Sequence, residues 1–271
     1  MNKMKVTAAL ICFCFLCFIS CRVQKINTSD SRQNSLVIDG PLWGAMWQQK
    51  AAEYKALCYQ AYNLAKLRLD MILEQPHTKQ LAIVTDIDET VLDNSPYEVH
   101  RALQDSGYTD KTWMEWTAKV ECDTIPGALS FFKYAFSKGV HIYYITNRLE
   151  AERTSTLKDL QRWNFPEAID NHIFLKQSKS GKEERRNIVA QDNDIVLLFG
   201  DNLSDFSSVF DKNPYDERNA NVMSNSKLFG NRFIVLPNAA YGDWEGALYN
   251  FNYNLKPAQK DSIIKKQLRT Y

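Results

Sequence analysis

The sequence predicts an α/β fold, a Rossmann-like parallel sheet flanked by helices. Three observations predict it. Short apolar runs ("LAIVT" at 81–85, "VHIYYI" at 140–145, "HIFL" at 172–175, "DIVLLF" at 194–199 and "RFIVLP" at 232–237) are separated by stretches of helical pattern. The first run is apolar up to its final threonine, as in a strand buried on both faces. Acids or a hydroxyl stand just beyond three of the runs: Asp86 and Asp88, Thr146, and Asp201 with Asp205. In parallel sheets chemistry gathers at the carboxyl ends of the strands.

Taken in order, Pro41 opens one long amphipathic helix. Trp47, Ala51, Tyr54, Cys58, Ala61, Ala65 and Leu69 recur at three- and four-residue spacing until "EQPH". Trp43, Trp47 and Trp163 are assigned to the core. After the 81–85 strand a polar, turn-rich segment runs to about Thr124, with a short helix at "TWMEWTAKVE". Pro126-Gly127 starts the next helix and Gly139 closes it. "EAERTSTLKDLQRW" and "GKEERRNIVAQ" are the helices that follow the second and third strands. The tail "KPAQKDSIIKKQLRTY" reads as a basic surface helix with a solvated face.

The first twenty residues are set apart from this pattern. Lys3 and Lys5 precede an almost wholly apolar stretch at 6–19, too short for a comfortable membrane span, and polar residues resume at Arg22. "FIS" followed by Cys21 resembles the lipobox of bacterial lipoproteins, with Phe18 where leucine is usual. The expected organisation is a signal peptide at 1–20, a polar tether at 21–40 beginning with a lipidated Cys21, and one domain at 41–271. An ordinary secreted protein or an uncleaved anchor is the alternative. Lipid on Cys21 implies a place in the bacterial cell envelope. The outer membrane is the expected address, with the domain in the periplasm or at the cell surface. Of six cysteines, only Cys58 and Cys122 then remain, too few for a disulfide framework or a metal motif. Each reads as a small buried residue, with a disulfide between them left open. A formal net charge of +1 gives no reason to expect a nucleic-acid polymer as partner.

"DIDET" at 86–90, "ITNR" at 145–148, "KSGK" at 179–182 and "GDNLSDF" at 200–206 occur in that order. The set resembles the four motifs of haloacid dehalogenase-type phosphohydrolases. "DIDETVLDNSPY" and "LPNAAYGDWEGAL" are similar to the class C acid phosphatases, bacterial lipoproteins of the cell envelope, over about residues 43–248. The resemblance implies a haloacid dehalogenase-like core with a small, mainly helical cap, drawn from the N-terminal helix and about residues 98–125. It implies an Mg²⁺-dependent phosphomonoesterase working in mild acid. Asp86 would be nucleophile and metal ligand, Asp88 a metal ligand through its carbonyl and the acid–base group, and Asp201 a further ligand. Asp205 would support the metal from behind. Clustered carboxylates suit a hard cation, and an aspartyl-phosphate divides one difficult displacement into two. Thr146, the Asn147 amide and Lys182 would cradle phosphate. Lys176 and Lys179 compete for the last role, and the match of "KSGKEER" to the family pattern favours Lys182. Trp113 and Tyr241 match the aromatic walls that hold a nucleobase or nicotinamide ring, implying 5′-nucleotides and nicotinamide mononucleotide as substrates. A homodimer, with "PLWGAMW" as a contact, is also implied.

Plainer roles stand beside these. Asp86, Asp88 and Thr146 could be caps, Lys182 a solvated helix residue, Asp205 a helix-start residue, and Trp113 and Tyr241 core. Arg148 and Arg185 could pair with the site or with surface acids. Glu89 and Asp93 are expected to hold the loop by local hydrogen bonds. Two other functions are weighed against hydrolysis: transfer of the phosphoryl group to an alcohol, and a non-catalytic surface binding lipoprotein.

Overall fold

The computed structural model describes residues 35–271, so the expected signal peptide, Cys21 and the tether up to residue 34 lie outside the described residues. The described chain opens with α1 (Leu36–Lys50) and α2 (Ala52–Leu73), followed by β1 (Gln80–Thr85), β2 (Leu92–Asp93), α3 (Ser95–Leu103), α4 (Asp110–Thr117) and β3 (Asp123–Thr124). Then come α5 (Ala128–Ser137), β4 (His141–Leu149), α6 (Arg153–Arg162), β5 (Ile173–Lys176), α7 (Glu183–Asp192) and β6 (Asn193–Gly200). The chain closes with α8 (Tyr215–Ser224), β7 (Phe233–Val235), α9 (Asp243–Leu248) and α10 (Pro257–Gln267).

Five strands form a parallel sheet in the order β5-β4-β1-β6-β7. The chain winds outward from β1 to β5, then returns to lay β6 on the other side of β1. That reversal leaves a crevice at the carboxyl ends of β1, β4 and β6. Alternate side chains of β1 serve opposite layers. Leu81 and Ile83 join a cluster with Tyr54, Cys58 and Leu69 of α2 and Phe131 and Phe132 of α5. Ala82 and Val84 join Val189 of α7, Phe206 and Phe210. An uninterrupted apolar strand is the consequence of covering both faces.

Above the crevice, β2 and β3 pair antiparallel and carry α3 and α4 between them. With α1 these helices make the small cap. Gln48 Nε2 of α1 donates to Asp93 Oδ1 at 2.8 Å, and Gln49 Nε2 to Ser95 Oγ at 3.1 Å.

The structure corrects four expectations. The single N-terminal helix is two helices, broken at Ala51, whose backbone is extended (φ −79°, ψ 126°). The first starts at Leu36, inside the expected tether, and takes Pro41 into its body. The break changes which face is buried, so Trp43 is 68% exposed, whereas Trp47 packs edge-on to Tyr54 with centroids 5.3 Å apart. The segment expected to be turns contains α3, started by Ser95-Pro96, with proline where the missing N–H costs nothing. The tail helix α10 is docked rather than free: Asp261 Oδ1 accepts from Val37 N at 3.2 Å, and Ile264 is buried. Cys58 and Cys122 are both buried and free.

Gly44 of α1 sits against the loop before α9. A Cβ there would lie 2.4 Å from Ala240 Cα and 2.5 Å from Ala240 N. Backbone cannot yield as a flexible side chain does. Gly44→Ala is therefore expected to destabilise the protein by about 1–3 kcal/mol, read as a lower midpoint in denaturant.

Candidate active site

Asp86 ends β1, with its backbone N–H donating to Phe199 O at 3.0 Å, and its side chain is buried in the crevice. From the far side of β6 the chain turns at Gly200 into Asp201 and Asp205. A Cβ on Gly200 would fall 2.4 Å from Asp205 Cβ, so only glycine permits this return. Carboxylate oxygens of Asp86, Asp201 and Asp205 lie within 4.8 Å of one another. Lys182, capping the start of α7, is buried and ion-paired to both Asp86 and Asp205, the latter at 2.7 Å. Asp201 Oδ2 accepts from Asn238 Nδ2 at 2.8 Å.

Asp88 leaves the cluster in another direction. Its Oδ1 accepts from Arg148 Nη2 at 2.7 Å, Arg148 Nε at 3.0 Å and Asn94 Nδ2 at 2.9 Å. Thr146 Oγ1 lies 3.4 Å from Asp88 Oδ2 and accepts the Arg148 N–H at 3.1 Å. Arg148 is fully enclosed and pairs with a site acid, not with the surface. Among the described residues Arg185 has no acid as ion-pair partner. It donates to Asn147 Oδ1 at 2.8 Å, to Ser180 O at 3.1 Å and to Gly181 O at 3.2 Å, tying β4 to the turn that carries Lys182. Arg186 donates to Asp205 O at 2.6 Å.

Glu89 and Asn94 form the joint between core and cap. Glu89 adopts φ +54° and is buried. It accepts from Asn94 N at 2.8 Å and from the Tyr241 hydroxyl. Asn94 also accepts from Trp116 Nε1 at 2.8 Å. Asp93 accepts from Gln48 and from Ser95 N at 2.8 Å. Both acids thus act as local anchors of the loop. Asn94, Arg148 and Asn238 are the site partners that sequence reasoning missed or left open. Their signal was slight: Asn94 and Arg148 lay inside quoted motifs without an assigned task.

Asp86, Asp88, Asn147, Lys182, Asp201 and Asp205 share a cavity of about 790 Å³ with Trp113 and Tyr241. Trp113 packs edge-on to Tyr97, centroids 5.1 Å apart. Lys260 and Pro257 of the tail helix also line this cavity, a role that its basic pattern did not reveal.

The electrostatics follow from burial. Desolvation, with Asp205 and Asp88 nearby, pushes Asp86 up to about 7 against the opposing pull of Lys182. Desolvation likewise raises Glu89 and Asp201 well above the ordinary carboxylate range. Carboxylates so crowded fit a hard divalent cation: all three donors are oxygens, they converge, and their charge exceeds what Lys182 neutralises. Without metal, the native state holds protons that the unfolded chain has released above about pH 4. Stability of the metal-free protein is therefore expected to fall as pH rises from about 4 to about 7. Denaturant midpoints in chelator should decline across that window. A divalent cation added at pH 7.5 should restore stability, and Asp86→Asn should flatten the decline.

Comparison with known proteins places this geometry. A family model described as HAD superfamily, subfamily IIIB (Acid phosphatase) matches residues 20–244. The class C acid phosphatase from Bacillus anthracis is similar over 87% of this chain and 99% of its own, at 46% identity and a TM-score of 0.84. Its structure with tungstate bound matches at the same identity and TM-score, over 86% of this chain and 98% of that one. Acid phosphatase 1 of Solanum lycopersicum is 25% identical over 130 residues, 45% of this chain and 50% of that protein. The chain spans about half the length of the curated relatives it matches. The chain belongs to the HAD superfamily, subfamily IIIB, the acid phosphatases.

Proposed function

We propose that the protein is an Mg²⁺-dependent acid phosphatase that hydrolyses phosphate monoesters, 5′-nucleotides and nicotinamide mononucleotide among them, through an aspartyl-phosphate on Asp86. The observation that carries this is the convergence of Asp86, Asp201 and Asp205 with Lys182, from the ends of β1 and β6 and the start of α7, in one crevice. Asp86, Asp201 and the Asp88 carbonyl would hold the metal, with Asp205 beside them. When bound, the metal supplies charge neutralisation for the phosphate dianion. Every remaining step belongs to the chain.

Thr146 Oγ1, the Asn147 amide and Lys182 hold the phosphoryl oxygens. Asp86 attacks phosphorus with a carboxylate oxygen and the bond to the alcohol breaks. Asp88 gives its proton to the departing alkoxide. It then takes a proton from water, whose oxygen attacks phosphorus, freeing phosphate and Asp86. Arg148 and Asn94 aim the Asp88 carboxylate for this exchange. A need for Asp88 to be protonated when the alcohol leaves supports a mildly acidic working range. Trp113 and Tyr241 provide ring faces for a base.

Lipid on Cys21, inferred from its lipobox-like flank, would tether the domain in the bacterial cell envelope, most naturally at the outer membrane. The exposed Trp43 and Met46 of α1 favour that helix as a dimer contact.

Purified protein should release phosphate from p-nitrophenyl phosphate and 5′-nucleotides with Mg²⁺ and lose turnover in chelator. Asp86→Asn should abolish it. Undiminished turnover in that variant would overturn the mechanism, and new phosphoesters forming faster than free phosphate on adding an alcohol would favour the transferase reading. Trp113→Ala should raise KM for nucleotides by about 10- to 100-fold, from the loss of stacking, and leave glycerol phosphate little changed. Tyr241→Phe keeps the ring but removes the bond to Glu89. It should lower stability more than it changes nucleotide KM, whereas Tyr241→Ala should change both.

A further inference from the structure

That reading leaves Glu98 without a task. It lies in α3, is 8% exposed and lines the substrate cavity. Among the described residues its carboxylate has neither a hydrogen-bond donor nor an ion-pair partner. Arg101, one turn along α3, gives its guanidinium to Gly107 O at 3.0 Å and Gln104 Oε1 at 3.2 Å. A buried acid with no partner is unfavourable and calls for an explanation. A second acid makes the arrangement costlier. Glu245 lines the same cavity, accepts from the Tyr249 hydroxyl at 3.0 Å, feels the attraction of Lys260, and repels Glu98. Burial first, and Glu245 second, push Glu98 up to about 7 against the opposing pull of Arg101.

The surroundings suit one kind of ligand. Tyr108, Trp113, Tyr241 and Tyr249 share the cavity, and the negative face of an aromatic ring attracts cations. The wall already accommodates one: Lys260 Nζ lies 4.7 Å from the Tyr249 ring centroid and 5.6 Å from that of Tyr253. A cation brought deeper would meet Glu98, relieve its repulsion with Glu245 and face the tyrosine and tryptophan rings. A neutral group would leave both acids as they are.

We propose that Glu98, supported by Glu245 and the aromatic walls, binds an organic cation carried by the alcohol part of the substrate. The enzyme then prefers phosphomonoesters of cationic alcohols to neutral ones of the same shape. The inference rests on the phosphatase reading and narrows its substrate class.

Phosphocholine and 3,3-dimethylbutyl phosphate test it, because they differ by a quaternary nitrogen against a carbon. Above about pH 8, where Glu98 is ionised, the wild type should favour phosphocholine in kcat/KM by about tenfold. Glu98→Gln should bring the ratio within about twofold while turnover of the neutral ester and of p-nitrophenyl phosphate persists, which also reports that the variant is folded. Glu245→Gln, at a second position, should reduce the preference in part. A wild-type ratio near one, or a preference that Glu98→Gln does not alter, overturns the proposal. Binding of choline against 3,3-dimethylbutanol, read by tryptophan fluorescence, separates the two readings. Choline binding that depends on Glu98 in a protein without turnover would retain the cation site and reject the phosphatase. Hydrolysis of both esters without choline selectivity would do the reverse.

Discussion

The ammonium of Lys182 stands between the carboxylates of Asp86 and Asp205, and much of the architecture is what brings those three groups together. They come from the end of β1, the loop after β6 and the start of α7. Buried like charges at this spacing would repel by several kcal/mol without a cation among them. The surrounding arginines are placed to keep the arrangement in register. Arg185 ties β4 to the turn before Lys182, and Arg186 holds the backbone beneath Asp205. Gly200 lets Asp205 return close enough to take part. A sheet buried on both faces gives these groups a rigid base, which a reacting oxygen needs if its position is to be held within a fraction of an ångström.

A second set of contacts connects that base to the substrate. Asn94 touches Asp88, Glu89, Trp116 and Cys122, so one buried amide joins the acid–base group to the cap. Glu89 adds Tyr241 through its hydroxyl. The Asp88 carboxylate and the Tyr241 ring are therefore held by the same few hydrogen bonds. In a low-dielectric interior such a network is strong when every member is satisfied and costly when one is lost. Glu89 and Tyr241 meet although they come from segments more than a hundred residues apart.

The fold and the side chains gathered in its crevice were legible because their signals are local. Each sheet strand contains a short apolar run, three of the runs are followed by an acid or a hydroxyl, and four short motifs in order leave little room for coincidence. The cap was less legible. Its helix α3 begins in a polar segment whose capping and turn residues are the same types that loops use. The N-terminal stripe continued across Ala51 at unbroken spacing, so periodicity could not reveal a break made by one extended residue. Trp43 was placed inside for the same reason.

By itself, the sequence determined the parallel sheet, the positions of Asp86, Asp88, Thr146, Lys182, Asp201 and Asp205 along it, and the family resemblance, because all of these depend on residue type at short spacing. Tertiary structure decided the pairings. Arg148 faces Asp88, Glu89 meets Tyr241, Glu98 comes near Glu245 in the cavity wall, and the basic tail helix brings Lys260 to the same cavity. Partner choice among charged side chains depends on distance through space and on burial. Neither quantity is written in the order of residues along the chain.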